Sequence, residues 1–175
     1  MKIIRMTTLI AAPVERCFKL STSIDLHLAS AAASSEAVVE GITSGLIHEG
    51  EKVTWRGRHF GWMFTHESLI ETLRPYTYFR DVMIHGAFRT FEHDHYFAPM
   101  NDGTRMRDEL TFSAPMGFLG RLAESLFLER HLTRFLRRRN AMLKKVAESE
   151  ADWRRYLNSG ADAVSDVHGV VAGSK

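Results

Sequence analysis

The stretch between Ser34 and Phe112 constrains the fold more than any other part of this chain. It contains segments rich in β-branched and aromatic residues, which Gly, Pro, Asn and Asp separate at short intervals. No helical period interrupts the stretch, and strands that follow one another without a crossover helix pair antiparallel. The sequence therefore predicts a six-stranded antiparallel meander, with strands near residues 35–43, 51–60, 62–74, 76–85, 89–98 and 104–113.

The segments on either side of the meander are mainly helical. Residues 2–12 alternate loosely and are rich in Ile, Thr and Leu, which predicts a first strand. Short helices are predicted over residues 13–21, which begin with Pro at the first helical position, and over residues 24–31. From residue 117 to about 157 the apolar residues recur with a helical period, which predicts one long helix lying across a concave sheet.

The composition is that of one folded domain. A chain of 175 residues with 45% hydrophobic and 25% charged residues is long enough for one core and too short for two ordinary ones. The last residues, 158–175, are rich in Gly, Ser and Ala and have no usable period. We expect a ligand-binding domain over residues 1–157 and a flexible tail over 158–175.

Charge and cysteine content limit the class of protein. A formal net charge of +2 is too small to require nucleic acid as a partner. The single cysteine, Cys17, cannot form an intrachain disulfide, and we interpret it as a packing residue. The amino-terminal residues lack the apolar core of a signal peptide, and no run approaches the roughly 20 apolar residues that span a bilayer. The expectation is a cytoplasmic protein without a membrane span.

Three segments of the chain resemble a known family. They are Trp55 with Phe60-Gly61, residues 79–97 from Phe-Arg-Asp to His-Asp-His-Tyr-Phe, and residues 103–122 from Gly-Thr-Arg-Met-Arg-Asp-Glu to Gly-Arg-Leu. With the order strand, two helices, six strands and helix, they resemble the START-like or SRPBCC superfamily, in particular its ligand-binding members related to polyketide cyclases and dehydrases. The resemblance covers residues 1–150.

The resemblance implies both a fold and a site. The fold is α+β, a helix-grip fold in which a curved antiparallel sheet of about seven strands surrounds a long C-terminal helix and an internal cavity. Proteins of this kind usually contact their ligand with the helix near Leu122, Ala123 and Leu126.

Strand pairing brings three titratable residues together. If residues 100–103 form the turn between neighbouring strands, counting back by twos puts His93 opposite Asp108. The same count across the turn near Gly86 puts Asp81 opposite His93. An imidazole is therefore expected between two carboxylates on one face of the sheet.

That face is also the apolar one, so it should point towards the helix and the cavity. His95 lies on it, opposite Met106 in this register. The apolar side chains on the same face are Phe79, Met83, Phe91, Phe97, Met106, Leu110 and Phe112. Trp55 and Phe64 on adjoining strands, with Phe60 and Trp62, are expected to pack in the core or to form the cavity wall, with core packing favoured for each.

The buried polar residues allow several interpretations. His93, with Asp81 and Asp108, is either an anchor for a ligand carbonyl or hydroxyl, an acid/base pair, or a hydrogen-bonded row that fixes the strand register. The carboxylates would raise the pKa of His93 and burial would lower it. His93, His95 and Asp108 are also of the type that binds zinc. Since no further ligand cluster is evident, we expect neither a metal nor a cofactor.

The C-terminal helix carries a basic cluster, which consists of Arg134, Arg137, Arg138, Arg139, Lys144 and Lys145. Glutamates lie on the same helix and its apolar stripe is needed for the core, so we expect a solvated face. The alternative is a protein-interaction surface over residues 130–145.

The function predicted from the sequence is binding of a small apolar molecule, lipid-like or aromatic and polyketide-like, by a non-catalytic carrier or sensor. The first alternative is an enzyme of the cyclase/dehydrase type, in which His93 with Asp81 or Asp108 moves protons. The second is the protein-interaction domain. Exposed sheet edges leave a homodimer open.

Overall fold

The computed structural model describes residues 1–31, 36–59, 61–115 and 127–158. Its strands and helices follow one another in the predicted order. They are β1 Lys2–Ile10, α1 Val14–Ser21, α2 Ile24–Ser30, β2 Ala37–Gly41, β3 Lys52–His59, β4 Trp62–Arg74, β5 Tyr78–His85, β6 Thr90–Met100, β7 Gly103–Ser113, α3 Glu129–Glu148 and α4 Arg155–Asn158. No helix among these residues is long and apolar enough to cross a membrane.

The seven strands form one antiparallel sheet in the order β1-β7-β6-β5-β4-β3-β2. The meander therefore pairs in sequence, and β1 joins it beside the last strand, β7. Register shifts in β4 between Glu67 and Ser68 and between Ile70 and Thr72 mark irregularities of the kind that bend a strand. The curved sheet and the C-terminal helix confirm the predicted α+β helix-grip fold.

The helix α3 packs on the sheet through one stripe of buried residues. Leu132, Leu136, Leu143 and Val146 recur along it at helical spacing and are at most 9% exposed. Arg139 and Asn140 lie in the same stripe and are also buried. Polar side chains therefore interrupt the apolar face of the helix at its middle.

The prediction of one continuous helix to residue 157 is wrong. The helix ends at Glu148, since Ser149 has an extended backbone with ψ of 114°. The chain then turns into the short helix α4, whose Tyr156 is 6% exposed and accepts a hydrogen bond at its backbone oxygen from Ser23. This turn packs Tyr156 against the core beside α2. The predicted start of the helix, with Leu122, Ala123 and Leu126, lies outside the described residues.

The predicted pairing of His93 with Asp108 and of His95 with Met106 is also wrong. In the structure His95 pairs with Asp108 and His93 with Leu110, because Met100 and Gly103 pair directly across a two-residue turn. The prediction assumed a wider turn and is displaced by two residues. Since side chains alternate with a period of two, the displacement leaves every side chain on its predicted face.

The other half of the predicted arrangement, Asp81 opposite His93, is present. A pair on the outer face of the sheet fixes this register. Arg80 Nε lies 2.7 Å from Asp94 Oδ1, and Arg80 Nη2 lies 3.0 Å from Oδ2. Burial raises the pKa of Asp94, but hydrogen bonds from Arg80 and Tyr78 outweigh it and lower that pKa. This ion pair therefore stabilises the strand register at neutral pH.

Gly103 allows the tight turn that sets the β6–β7 register. Its φ is +143°, and a Cβ there would lie 2.1 Å from the backbone oxygen of Ile10 on the neighbouring strand β1. Gly50 also has a positive φ, +81°, but open space around it. A comparison of substitutions at the two positions therefore separates the energetic cost of a positive φ from that of a steric overlap with β1.

We expect Gly103→Ala to destabilise the protein more than Gly50→Ala. Positive φ alone costs about 1–2 kcal/mol for an L-residue, and overlap with Ile10 adds about 1–3 kcal/mol at position 103. Urea unfolding of both variants measures the free energies of unfolding. Equal losses of unfolding free energy in the two variants would show that the overlap with β1 does not affect stability.

Candidate functional site

A cavity of about 360 Å³ lies between the concave face of the sheet and the helices α2 and α3. Its volume is at the lower end of the range for small-molecule pockets. Most of its wall is apolar, formed by Ile24, Ile47, Val53, Trp55, Phe64, Ile70, Phe79, Phe88, Phe91, Leu110, Leu128, Leu132, Phe135 and Leu136. Such a wall favours a ligand whose surface is mainly apolar.

Asp81, His93 and Arg139 form one polar part of this wall. Strands β5 and β6 hold Asp81 and His93 opposite each other, and α3 supplies Arg139. Behind them lie His95 and Asp108, both 0% exposed. Their neighbouring positions in the sheet follow from the observed register.

The two imidazole rings lie between the two carboxylates. Asp81 Oδ2 is 3.2 Å from His95 Nε2 and 3.8 Å from His93 Nδ1. On the other side, Asp108 Oδ1 is 2.8 Å from His95 Nδ1 and 3.3 Å from His93 Nε2. The ring centroids are 3.8 Å apart. We call this group of four residues the His–Asp cluster.

The helix α3 contacts the cluster through two consecutive residues. Asn140 Nδ2 donates to Asp108 Oδ2 at 2.7 Å and to Thr8 Oγ1 at 3.2 Å. Arg139 Nη2 donates to the backbone oxygen of Ser21 at 3.1 Å, and its Nη1 lies 4.0 Å from Asp108 Oδ1. Arg139 and Asn140, which interrupt the apolar stripe of α3, therefore attach the helix to the sheet.

Both carboxyl groups of the cluster are held ionised. Burial raises the pKa of Asp81, but the hydrogen bond with His95 and charge interactions with His93, His95 and Arg139 lower it to about 2. Burial opposes ionisation of Asp108 as well, and contacts with the two histidines hold its pKa well below the usual value. Arg139 and the ring N–H groups also lower the pKa of a nearby carboxyl group. The lowered pKa values of Asp81 and Asp108 therefore do not require a positive charge on His93.

His93 is held neutral. Burial lowers its pKa below the usual value, and the nearby His95 lowers it further, against the opposing effect of Asp108 and Asp81. At pH 7 the cavity therefore contacts an ionised carboxylate and a neutral imidazole. This pair can accept a hydrogen bond from a ligand or take up a proton.

Five buried side-chain atoms of the described residues have no hydrogen bond within the protein, and all five lie here: His93 Nε2, His95 Nδ1, Asp108 Oδ1, Arg139 Nη1 and Asn140 Oδ1. The contacts of His93 and His95 with Asp108 are short, but their angles are not those of hydrogen bonds. We describe them as polar contacts. The cluster is therefore not fully satisfied by hydrogen bonds among the described residues, although buried polar atoms are seldom left unpaired.

The structure divides the predicted ligand-binding residues into two layers. Asp81, His93, Trp55, Phe64, Phe79 and Phe91 line the cavity. His95, Asp108, Phe97 and Met106 lie behind the wall. Phe97 packs edge-on against Phe18, with ring centroids 5.3 Å apart, and Met106 Sδ lies 3.7 Å from Ser21 Oγ.

The prediction of core packing is wrong for Trp62, since this side chain is 74% exposed. The strand β5 pairs with β4 only from Glu67 onwards, so the tip of the β3–β4 hairpin projects beyond its neighbour. Phe64, on the same projecting part, is 36% exposed and lies at the cavity. Phe60 lies outside the described residues.

Arg139 is not part of the predicted solvated basic face, since it is only 9% exposed. Arg134, Arg137, Arg138 and Lys145 are exposed as expected, and Lys144 is half-buried. Arg139 and Asn140 lie at helical spacing from Leu132, Leu136 and Leu143, which places them in the apolar stripe. The sequence therefore contains the signal for their burial. His27, which stacks on Trp55 at 4.1 Å between ring centroids, carried no comparable signal.

Comparison with known proteins identifies the fold. The chain matches no family model and no curated protein. Among solved structures it is similar to TTHA0849 from Thermus thermophilus, with 19% identity, a TM-score of 0.61, and 81% of this chain and 97% of that chain covered. CV1439 from Chromobacterium violaceum gives 15% identity, a TM-score of 0.64, and coverage of 85% and 98%.

A plant protein has the same architecture. Major latex-like protein 151 from Panax ginseng is 12% identical, with a TM-score of 0.63 and coverage of 85% of this chain and 98% of that chain. At these identities the likeness establishes the fold alone.

We expect Asn140→Leu to destabilise the protein by about 1–3 kcal/mol, because Asp108 Oδ2 loses its closest donor inside the core. Thr8→Val is the matched control, since it removes only the weaker 3.2 Å contact of the same amide. Urea unfolding compares the two losses of free energy. If Thr8→Val costs as much as Asn140→Leu, Asp108 does not attach the helix.

Proposed function

We propose that this protein encloses one small, mainly apolar molecule in the cavity beneath α3, as a carrier or sensor. The observation that supports the proposal is the combination of a largely apolar wall with a smaller number of polar groups, among which Asp81, His93 and Arg139 lie together. Small-molecule sites in proteins have this composition, because the apolar wall supplies affinity and the polar groups set orientation.

The polar groups define the chemistry of the ligand. Asp81 is an ionised acceptor, His93 is a neutral ring, and Arg139 is a cation whose Nη1 is closed off from the cavity. A hydroxyl group can donate to Asp81, and the positive charge of Arg139 favours a carbonyl oxygen nearby. A hydroxylated or carbonyl-containing aromatic compound therefore fits better than a plain hydrocarbon.

The apolar end of the ligand would meet aromatic side chains. Trp55 is 9% exposed with its ring stacked on His27, and Phe79 is 2% exposed with its ring 4.1 Å from that of His95. Rings held in this way lose little conformational entropy when a ligand binds. The wall is thus suited to a flat, rigid molecule.

A fluorescent apolar probe, N-phenyl-1-naphthylamine, tests the proposal. We expect saturable binding with one site per chain. Ser68→Leu places a larger side chain at a wall position that is 6% exposed and should weaken binding at least about tenfold, which corresponds to about 1.4 kcal/mol.

Glu71→Leu is the control, since it adds a similar side chain at an exposed position of the same strand. Thermal unfolding shows whether Ser68→Leu is folded. Equal affinity of the two folded variants, or no saturable binding by the natural chain, would contradict the proposal.

A second candidate function is proton transfer on a bound carbonyl compound. The observation that favours it is the ionised Asp81 beside the neutral His93 at the cavity wall, a pair that can accept a proton. Incubation of the protein with a carbonyl compound in D₂O, followed by mass spectrometry of the compound, distinguishes the two functions, because proton transfer beside the carbonyl incorporates deuterium. A mass equal to that of the compound incubated without protein argues for the carrier or sensor, and additional deuterium argues for the enzyme.

A further inference from the structure

We propose that Asp81, His93 and His95 form a binding site for one divalent transition-metal ion. The three residues each contribute one donor atom, and these atoms lie within 4.8 Å of one another. Two imidazoles and one carboxylate are ligands that Zn²⁺, Co²⁺ and Fe²⁺ accept and that Ca²⁺ and Mg²⁺ disfavour. The inference does not depend on the proposed function.

The separations are close to those of a metal site. With metal–nitrogen and metal–oxygen distances of about 2.0–2.2 Å, neighbouring ligand atoms in a tetrahedral or octahedral site lie about 3–3.5 Å apart. Asp81 Oδ2 is 3.2 Å from His95 Nε2 and 3.8 Å from His93 Nδ1. To close the site, the Asp81 side chain, which is 20% exposed, would move towards His93, and the donor atoms of the two histidines, which lie within 4.8 Å of each other, would approach.

Asp108 lies where metal-binding histidines usually have a supporting group. A histidine ligand usually donates its second ring N–H to a carboxylate or carbonyl, which fixes the ring orientation. Asp108 Oδ1 lies 2.8 Å from His95 Nδ1 and 3.3 Å from His93 Nε2, the two nitrogens that face away from Asp81. These contacts are not hydrogen bonds in the structure, so the rings would have to reorient slightly for Asp108 to accept from them.

The site would be accessible from the cavity. Asp81 and His93 line the cavity, while His95 and Asp108 are closed off behind them. Two histidines and one carboxylate leave coordination positions open, and these would face the bound molecule. A metal here would contact a hydroxyl or carbonyl oxygen of the ligand.

Titration of the protein, first treated with a chelator, tests the site with metal alone. We expect one Zn²⁺ per chain by calorimetry, and one Co²⁺ per chain with visible absorption typical of nitrogen and oxygen ligands. Asp81→Asn should weaken binding at least about 100-fold, and Asp108→Asn by about 10–100-fold. His48 and His85 are exposed beside Glu51 and Glu67, so the double variant His48→Gln/His85→Gln is the matched control and should bind normally.

Proton NMR of the Co²⁺-loaded natural chain gives a readout that needs no variant. Ring protons of His93 and His95 should show large paramagnetic shifts, and those of His48 and His85 should not. Failure of the natural chain to bind an ion, equal affinity of Asp81→Asn, or shifts confined to His48 and His85 would each overturn the proposal. The proposed ligand binding is tested separately, by binding of N-phenyl-1-naphthylamine in the absence of metal.

Discussion

The burial of one carboxylate, Asp108, is the constraint on which the arrangement of this protein depends. Its side chain is fully buried in the sheet, where an uncompensated charge would cost several kcal/mol. Both histidines of the cluster contact it from neighbouring positions, and Asn140 donates to it from the helix. Asp108 Oδ2 therefore receives its hydrogen bond from Asn140 only when α3 lies in its observed position across the sheet.

This attachment explains why a cavity remains beside a packed core. Leu132 and Leu136 pack with Ile4, Leu110 and Phe112, while Leu143 and Val146 join a second apolar cluster. Between these two contacts the helix presents Arg139 and Asn140, which are held by polar partners. The polar contacts of Arg139 and Asn140 hold the helix at its distance from the sheet. The aromatic side chains around the space that remains form the cavity wall.

The sequence determined the fold and the face of each strand, but not the details that depend on tertiary contacts. The period of two placed Asp81, His93, His95 and Asp108 on one face, and a two-residue error in turn length left that result unchanged. The burial of Arg139 differs from the prediction, because its charge suggests a solvated face while its position in the apolar stripe of α3 places it in the interior. The helix end at Glu148 depends on the packing of Tyr156, which local sequence does not encode.

The most direct test of the central claim is a long-range ¹H–¹⁵N NMR titration of the imidazole rings with N-phenyl-1-naphthylamine. If the cavity ends at the His–Asp cluster, the resonances of His93 shift with a saturable dependence on probe concentration. Those of the exposed His48 and His85 stay in place. Shifts at His48 or His85 with His93 unchanged would show that the probe binds elsewhere and would contradict the account.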